Sequence, residues 1–341
     1  MSKTNSTIEL AKDDLRVSVI ITCYNEGRYI SAAVKSVLNQ TRQDSVDRII
    51  IVDDGSAADT ISVLKEIENF DPRIQIIYGA GGVGLPGQRR IAIAESKAPF
   101  FAILDGDDLW AEEKLELQLN LVVKDPDVGL IYSDFYTFPD GDLSAARRAG
   151  VIDISGAEDL AIRYFLRDPP IIPSTTLIRR TAYDACGGFD AAVRVFEDTD
   201  FYIRLAGVTR FALVDRPLLY KRNRNTSITG GRTDLMAQHA FVAFKAATQN
   251  PRLLPHVPAR LSERARKLAN QRFLARDFKG ARTLSDFALR LRPIQPAAIL
   301  SYVLCRLPEW ASERLIRTVF AKRAAVVVSP KTDATKAEGA R

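Results

Sequence analysis

Three carboxylates fall within four residues at Asp105-Gly106-Asp107-Asp108. Like charges this close resist joint ionisation unless a cation sits among them. The intervening glycine lets the backbone turn sharply and approach a ligand. Hard oxygen donors with room for water and phosphate oxygens suit Mg²⁺ or Mn²⁺. Such an ion would neutralise charge growing on a departing diphosphate. The plainer alternative is a solvated acidic turn. The apolar run 100–104 (FFAIL) that leads directly into the cluster favours the chemical reading.

Four further stretches carry groups of the right type. Asp53-Asp54-Gly55-Ser56 follows the apolar run RIIIV. Its carboxylates suit the N3–H of a uracil or ribose hydroxyls, or else a turn and helix cap, where Asp, Gly and Ser are favoured. Thr22-Cys23-Tyr24-Asn25-Glu26 offers a ring (Tyr24) to stack on a base and a hydroxyl (Thr22) to bond it, or ordinary loop packing. Arg89 and Arg90 follow the glycine-rich GAGGVGLPG and open a helix. A guanidinium there suits phosphate oxygens or a nucleoside, or simply the surface. Glu197-Asp198-Thr199-Asp200 begins a helix, where carboxylates complement the helix dipole. The competing role is a general base that takes a proton from an acceptor hydroxyl.

The elements around these clusters explain how they would meet. VSVIITC (17–23) is a continuous β-rich apolar run, as in a strand buried on both faces of a parallel sheet. Strands follow at 48–52, 74–78, 100–104 and 128–132, separated by helical patterns such as Ile30, Ala33, Val34, Val37 and Leu38. This alternation predicts an α/β doubly wound domain, whose ligands sit beyond the carboxyl ends of the strands. Both acidic clusters at strand ends would then open onto one crevice. Residues 137–150 read as irregular. IIPSTTLI (171–178) reads as an edge strand because of Pro173. A helix over 197–205 and short strands at 211–214 and 218–220 follow. From Leu235 the pattern is helical, with a faint tetratricopeptide-like hairpin at 272–291.

Composition narrows the classes. Three cysteines, far apart in 341 residues, do not make a disulfide framework and fit a reducing compartment. Two histidines distant from them argue against a zinc site. The polar N-terminal stretch lacks a signal-peptide core, and no run reaches the roughly 20 apolar residues of a membrane span. The net charge of +6 is uneven: residues 236–341 hold 20 Lys and Arg against 7 Asp and Glu, so the preceding 235 residues are acidic. A basic helical tail with Arg264-Ala265-Arg266-Lys267, and with Arg314, Arg317, Lys322 and Arg323 among Leu315, Ile316, Val319 and Phe320, suggests an anionic membrane surface, or else packing against the catalytic domain or a dimer partner. It lacks the interleaved aromatic residues of a base-stacking surface, so no nucleic acid is expected.

Over about residues 16–230 the chain resembles the inverting family 2 glycosyltransferases of the GT-A fold. The resemblance rests on VSVIITCYNEGRYISAAVKSVLNQT, IIIVDDGS, GLPGQRR, FFAILDGDDLWAEEKLELQ, VGLIYSDF and GGFDAAVRVFEDTDFYIRL, in that order. It implies a GT-A-type, doubly wound, mostly parallel sheet flanked by helices, with a C-terminal helical extension. The implied layout is a flexible segment 1–15, a catalytic domain 16–235, a basic extension 236–327 and a disordered tail 328–341.

By position, the resemblance implies that Thr22, Tyr24, Glu26, Asp53, Asp54, Arg89, Asp105, Gly106, Asp107 and Asp108 line a nucleotide-sugar site, with UDP favoured through Asp54. Asp105 and Asp107 form the DxD motif that holds Mg²⁺ or Mn²⁺. Asp198 matches the base, Glu197 supports it or contacts the acceptor, and Trp110 packs under the metal loop. The implied reaction is a single displacement on a glycan or lipid-linked acceptor, with inversion, in cell-surface polysaccharide or glycolipid synthesis. The implied location is the cytoplasm, with peripheral contact at the inner face of the plasma membrane. Two departures stand out. Relatives often carry a histidine where this chain has Tyr220-Lys221-Arg222-Asn223-Arg224-Asn225, which leaves Arg222, Asn223 or Arg224 for the diphosphate. Arg90 replaces a usual asparagine. A nucleotidyltransferase is the rival enzyme, but CYNEG is not a lysine-bearing phosphate loop. A non-catalytic nucleotide-sugar-binding protein is the other alternative, and Asp105, Asp107 and Asp198 speak against it.

Overall fold

The computed structural model describes residues 15–224 and 235–320. Of the segment expected to be flexible at 1–15, residues 1–14 lie outside the described residues, while Leu15 is described and buried. Residues 328–341 and Asn225 also lie outside them. The chain divides into two compact units, the first ending at Arg224 and the second beginning at Asn225.

The first unit opens β1 (Val17–Cys23), α1 (Gly27–Leu38), β2 (Val46–Asp53), α2 (Ala58–Ile67), β3 (Ile74–Tyr78), α3 (Gly84–Glu95) and β4 (Phe100–Asp105). All seven residues of β1 are buried, as its unbroken apolar run requires of a strand covered on both faces. The four strands are parallel in the order β3-β2-β1-β4. Their register aligns Thr22 with Asp105, Cys23 with Asp53, and Asp53 with Tyr78. The strand-end polar residues therefore stand side by side, although they are up to 83 positions apart in the chain.

The unit continues with β5 (Leu109–Trp110), α4 (Lys114–Lys124), β6 (Val128–Pro139), β7 (Arg147–Arg148), α5 (Leu160–Arg167), β8 (Leu177–Arg179), α6 (Arg180–Ala185), α7 (Glu197–Leu205) and β9 (Arg210–Asn223). The sheet extends as β4-β8-β6-β9-β5. The short β8 is antiparallel to both β4 and β6. It lies inside the sheet, not at its edge as Pro173 suggested. The proline sits in a one-turn helix, Pro173–Thr175, ahead of the strand, so no ladder donor is missing. The strands read at 211–214 and 218–220 are one strand, β9, parallel to β6 with an irregularity where Asp134 pairs Pro217. Part of 137–150 is ordered too, since β7 pairs with β6.

The second unit contains α8 (Leu235–Gln249), α9 (Val257–Leu274), α10 (Phe278–Leu291), α11 (Pro296–Leu304) and α12 (Glu309–Thr318). Ala269, Phe273, Ala281, Cys305 and Ile316 form its core, with Leu315 packed against it. Ile316 and Leu315 thus face inward, in line with the packing alternative for these residues. Among the described residues no helix is long and apolar enough to cross a membrane.

Candidate active site

The acidic end of β4 is held from three sides. Thr22 Oγ1 donates to Asp105 Oδ1 at 3.3 Å, and the Asp105 amide donates to Ser174 Oγ at 3.0 Å. Trp110 Nε1 donates to the Ser174 carbonyl at 2.8 Å, and the buried Lys114 ammonium sits 4.0 Å over the indole. Trp110 therefore braces the loop through the turn that precedes β8. Gly106 admits no side chain. A Cβ there would meet the Thr22 carbonyl at 2.8 Å, Ile30 Cδ1 at 2.9 Å and the Glu26 carboxylate. Gly106→Ala is expected to cost about 1–3 kcal/mol of stability, as overpacking does, read as a lower urea midpoint at unchanged slope.

Arg89 joins this cluster to the second one. On α3 its phase groups it with Ala92 and Ile93 on the buried face. Only 1% of its side chain is exposed, and it donates to Asp105 at 3.1 Å and to Glu197 Oε1 at 2.7 Å. Phe189 lies against the guanidinium, 5.5 Å from ring centre to carbon. A single side chain thus spans the DxD strand end and the first turn of α7. Arg89 was expected at the nucleotide. Its burial instead turns it into the protein, and Arg90, its neighbour, is exposed.

The first turn of α7 is built with strain. Phe196 just before it has φ 61°, a left-handed conformation uncommon for an aromatic residue. Phe189 and Phe201 stack at 4.2 Å beneath it, with Tyr183 against both. Gly188 is required there: its φ is +66°, and a Cβ would fall 2.5 Å from the Tyr183 ring. Arg204 ties the turn down by donating to the carbonyls of Cys186 and Gly188 and by pairing with Asp200 at 2.7 Å. The charge of Asp200 is matched by Arg204. Burial, and then the Glu197 charge, push Asp198 up to about 7.

The C-terminal end of β9 closes the site. Arg222 lies over the rings of Tyr29 and Phe138 at 4.6 and 4.7 Å. Its amide donates to Asp108 Oδ1, its Nε to the Asp107 carbonyl, and its Nη1 to Asp140. Arg222, expected at a diphosphate, holds the acidic loop through these bonds. Asn223 is exposed. Arg224 bridges Glu26 at 2.8 Å and Asp107 Oδ2 at 2.6 Å.

Burial and the Asp107 charge push Glu26 up to about 8. Burial raises Asp108 to about 7 against the pull of Lys221, and its Oδ2 has no hydrogen-bond partner. Burial and Asp105 raise Asp107 as well. Burial also works to raise Asp105, but Arg89 and Lys221 outweigh it and hold that carboxyl below its usual range. Lys221 is not among the residues that the sequence motifs single out. It stands in the field of Asp108, Asp105, Asp107 and Asp198, which keeps its ammonium firmly charged. Strand alternation was the available signal, because Lys221 shares a face with the buried Leu219.

At the nucleoside end, Tyr24 is 58% exposed beside Asn25, whose φ is 53°. Asp54 is spoken for: its carboxylate accepts from the amides of Val83 and Gly84 at 3.0 and 2.8 Å. It therefore pins the glycine-rich loop. Asp53 caps its own turn through Oδ2, accepting from Gly55 and Ser56, while Oδ1 is buried without a partner. Among the described residues no group of three or more His, Cys, Asp or Glu gathers in a way that would cage a metal by itself.

Residues 18–187 match the family described as Glycosyl transferase family 2. The Escherichia coli protein named UDP-Glc:alpha-D-GlcNAc-diphosphoundecaprenol beta-1,3-glucosyltransferase WfgD is 33% identical over 123 residues, which is 36% of this chain and 47% of that protein. Chondroitin synthase of Pasteurella multocida is 27% identical over 241 residues, 70% of this chain and 24% of that one. The chain thus spans less than half the length of these relatives. The crystal structure of S. aureus TarS 1-349 in complex with UDP superposes with a TM-score of 0.58 at 15% identity, over 89% of this chain and 91% of that one. At that identity the likeness speaks for the fold. Its sheet, its acidic strand end and the matched 18–187 segment agree: the chain belongs to glycosyltransferase family 2 and has the GT-A fold.

Proposed function

We propose that this glycosyltransferase moves a sugar from a nucleoside-diphosphate donor to an acceptor hydroxyl with inversion, Asp198 serving as the base. The single observation that carries this reading is Arg89, which ties Asp105 and Glu197 to one guanidinium and so sets the DxD loop and the base's helix turn in one site. Burial and the Glu197 charge push the Asp198 carboxyl up to about 7, which suits a base that must be unprotonated yet able to hold a proton. It accepts the hydroxyl proton as the acceptor oxygen attacks the anomeric carbon, while the nucleoside diphosphate leaves on the opposite face. Arg89 stabilises the charged Glu197 beside it and orients the turn.

Tyr24 stacks on the base, and Asp53 Oδ1 supplies an acceptor for its N–H. The TarS structures in complex with UDP and with UDP-GlcNAc favour a UDP-sugar donor. The relatives' names favour an acceptor in surface polysaccharide synthesis, free or lipid-linked. A divalent ion fits the hard carboxylate oxygens of Asp107 and Asp105, with the donor's own phosphates and water completing a shell that the protein alone does not fill. When bound, Mg²⁺ or Mn²⁺ supplies charge neutralisation to the leaving diphosphate.

Lys221 takes the place of the missing histidine as the cation for the diphosphate. Lys221→Met is expected to raise the donor KM by roughly tenfold, because a charge-assisted contact is lost, with a smaller change in kcat. The pH profile follows from Asp198. A carboxyl pushed up to about 7 is protonated as pH falls through that value, so kcat/KM should drop on the acid side near pH 7, not near 4. The reading is tested with a panel of nucleotide sugars and Mg²⁺ or Mn²⁺, scored for nucleotide release. Release from at least one donor is expected, and none from any donor would refute it.

A further inference from the structure

The helix α11 is inside out. Its buried residues are the small Ala298 and Ser301, whereas Ile299, Leu300 and Val303 stand 42%, 60% and 52% exposed. A surface helix normally turns its large apolar side chains inward. The flanking segments repeat the arrangement. Ile294 before it is 90% exposed, and Trp310 and Val319 after it are 72% and 66% exposed. On α12, Trp310 lies on the outward side together with Arg314 and Arg317, while Ile316 fills the core. Isolated exposed apolar residues are ordinary, but a helix that presents Ile299, Leu300 and Val303 together, while Tyr302 and Leu304 are half-buried, calls for a cover.

Charge identifies the cover. From Phe278 to Phe320 there are seven Lys and Arg against three Asp and Glu. Two of those acids are already matched, Asp286 by Arg306, and Glu313 by Arg276 at 2.9 Å. A second copy seated symmetrically on this face would bring arginine against arginine. An anionic bilayer answers both features, since it takes Ile, Leu, Val and Trp side chains at the headgroup boundary and attracts the guanidinium groups around them. We infer that the 294–319 segment docks this chain on an anionic lipid surface, with Leu300, Val303 and Trp310 entering the interface and Arg292, Arg314 and Arg317 at headgroup level. The docking residues are not Leu315 and Ile316, which the core takes.

The test is flotation of the full chain with vesicles of phosphatidylcholine, alone or mixed with phosphatidylglycerol. It needs neither donor nor acceptor, so it stands or falls apart from the transfer reaction. Wild type should float with the mixed vesicles and not with phosphatidylcholine alone. The double variant Leu300→Gln with Val303→Gln should bind at least about tenfold more weakly with an unchanged thermal unfolding curve, since both side chains are exposed. Arg314→Gln with Arg317→Gln should lose the preference for phosphatidylglycerol. The inference is overturned if wild type stays unbound, or if the apolar variant floats as well as wild type. It is also overturned if sedimentation velocity reveals a dimer that the apolar variant dissolves, which would assign the face to a second copy.

Discussion

Asp198→Asn should lower kcat by about 10²–10⁴-fold, the range over which a positioned base contributes, while leaving the Kd for the nucleotide sugar within about twofold. The asymmetry comes from where Asp198 sits. It heads α7, half-buried and in the field of Glu197, Arg89 and Asp105, whereas the strand ends that would hold the nucleotide belong to β1, β2 and β4. Asparagine keeps the shape and can still accept from the Thr199 amide, which Asp198 Oδ1 does now at 2.7 Å. It cannot take a proton. Loss of donor affinity equal to the loss of rate would mean that Asp198 acts through binding and not as a base.

Arg89→Met is the second large effect, and it should fall on stability and on pH together. Removing the cation strands the Glu197 carboxylate, 10% exposed, and Asp105, 22% exposed. Breaking a buried ion pair by taking one partner costs about 3–5 kcal/mol, discounted somewhat here because Asp105 is partly solvated. A fall in the urea midpoint of that order is expected. Arg89 also lowers the Asp198 pKa against burial and Glu197. Without it, Asp198 holds its proton more tightly, so the acid limb of kcat/KM should move to higher pH. A purely structural role would leave that limb in place. Arg89→Lys should recover part of the stability and little of the geometry, because an ammonium cannot span two carboxylates as a guanidinium fork does.

Much of this arrangement is legible in the residues alone. β1, β2 and β4 announce themselves because a strand covered on both faces must be apolar throughout. The polar residues that end them must then project beyond the sheet. What pattern cannot show is which charges are already spent. Arg89 reads as a free guanidinium after a glycine-rich loop until its helical phase, shared with Ala92 and Ile93, places it in the core. Asp54 reads as a ligand group, yet the amides of Val83 and Gly84 occupy both of its oxygens. The strand at β8 is legible but its place inside the sheet is not, because Pro173, which lies in the turn ahead of it, points to an edge. α11 misleads for a different reason. Its apolar residues signal a buried face, and the small residues between them are the ones that the core takes.

The anomeric configuration of the product tests the account most directly. A base on one face of the sugar and a leaving diphosphate on the other permit a single displacement only. NMR of the glycoside formed by the wild-type chain should therefore show the anomeric configuration opposite to that of the donor. A product that keeps the donor's configuration would contradict the role given to Asp198.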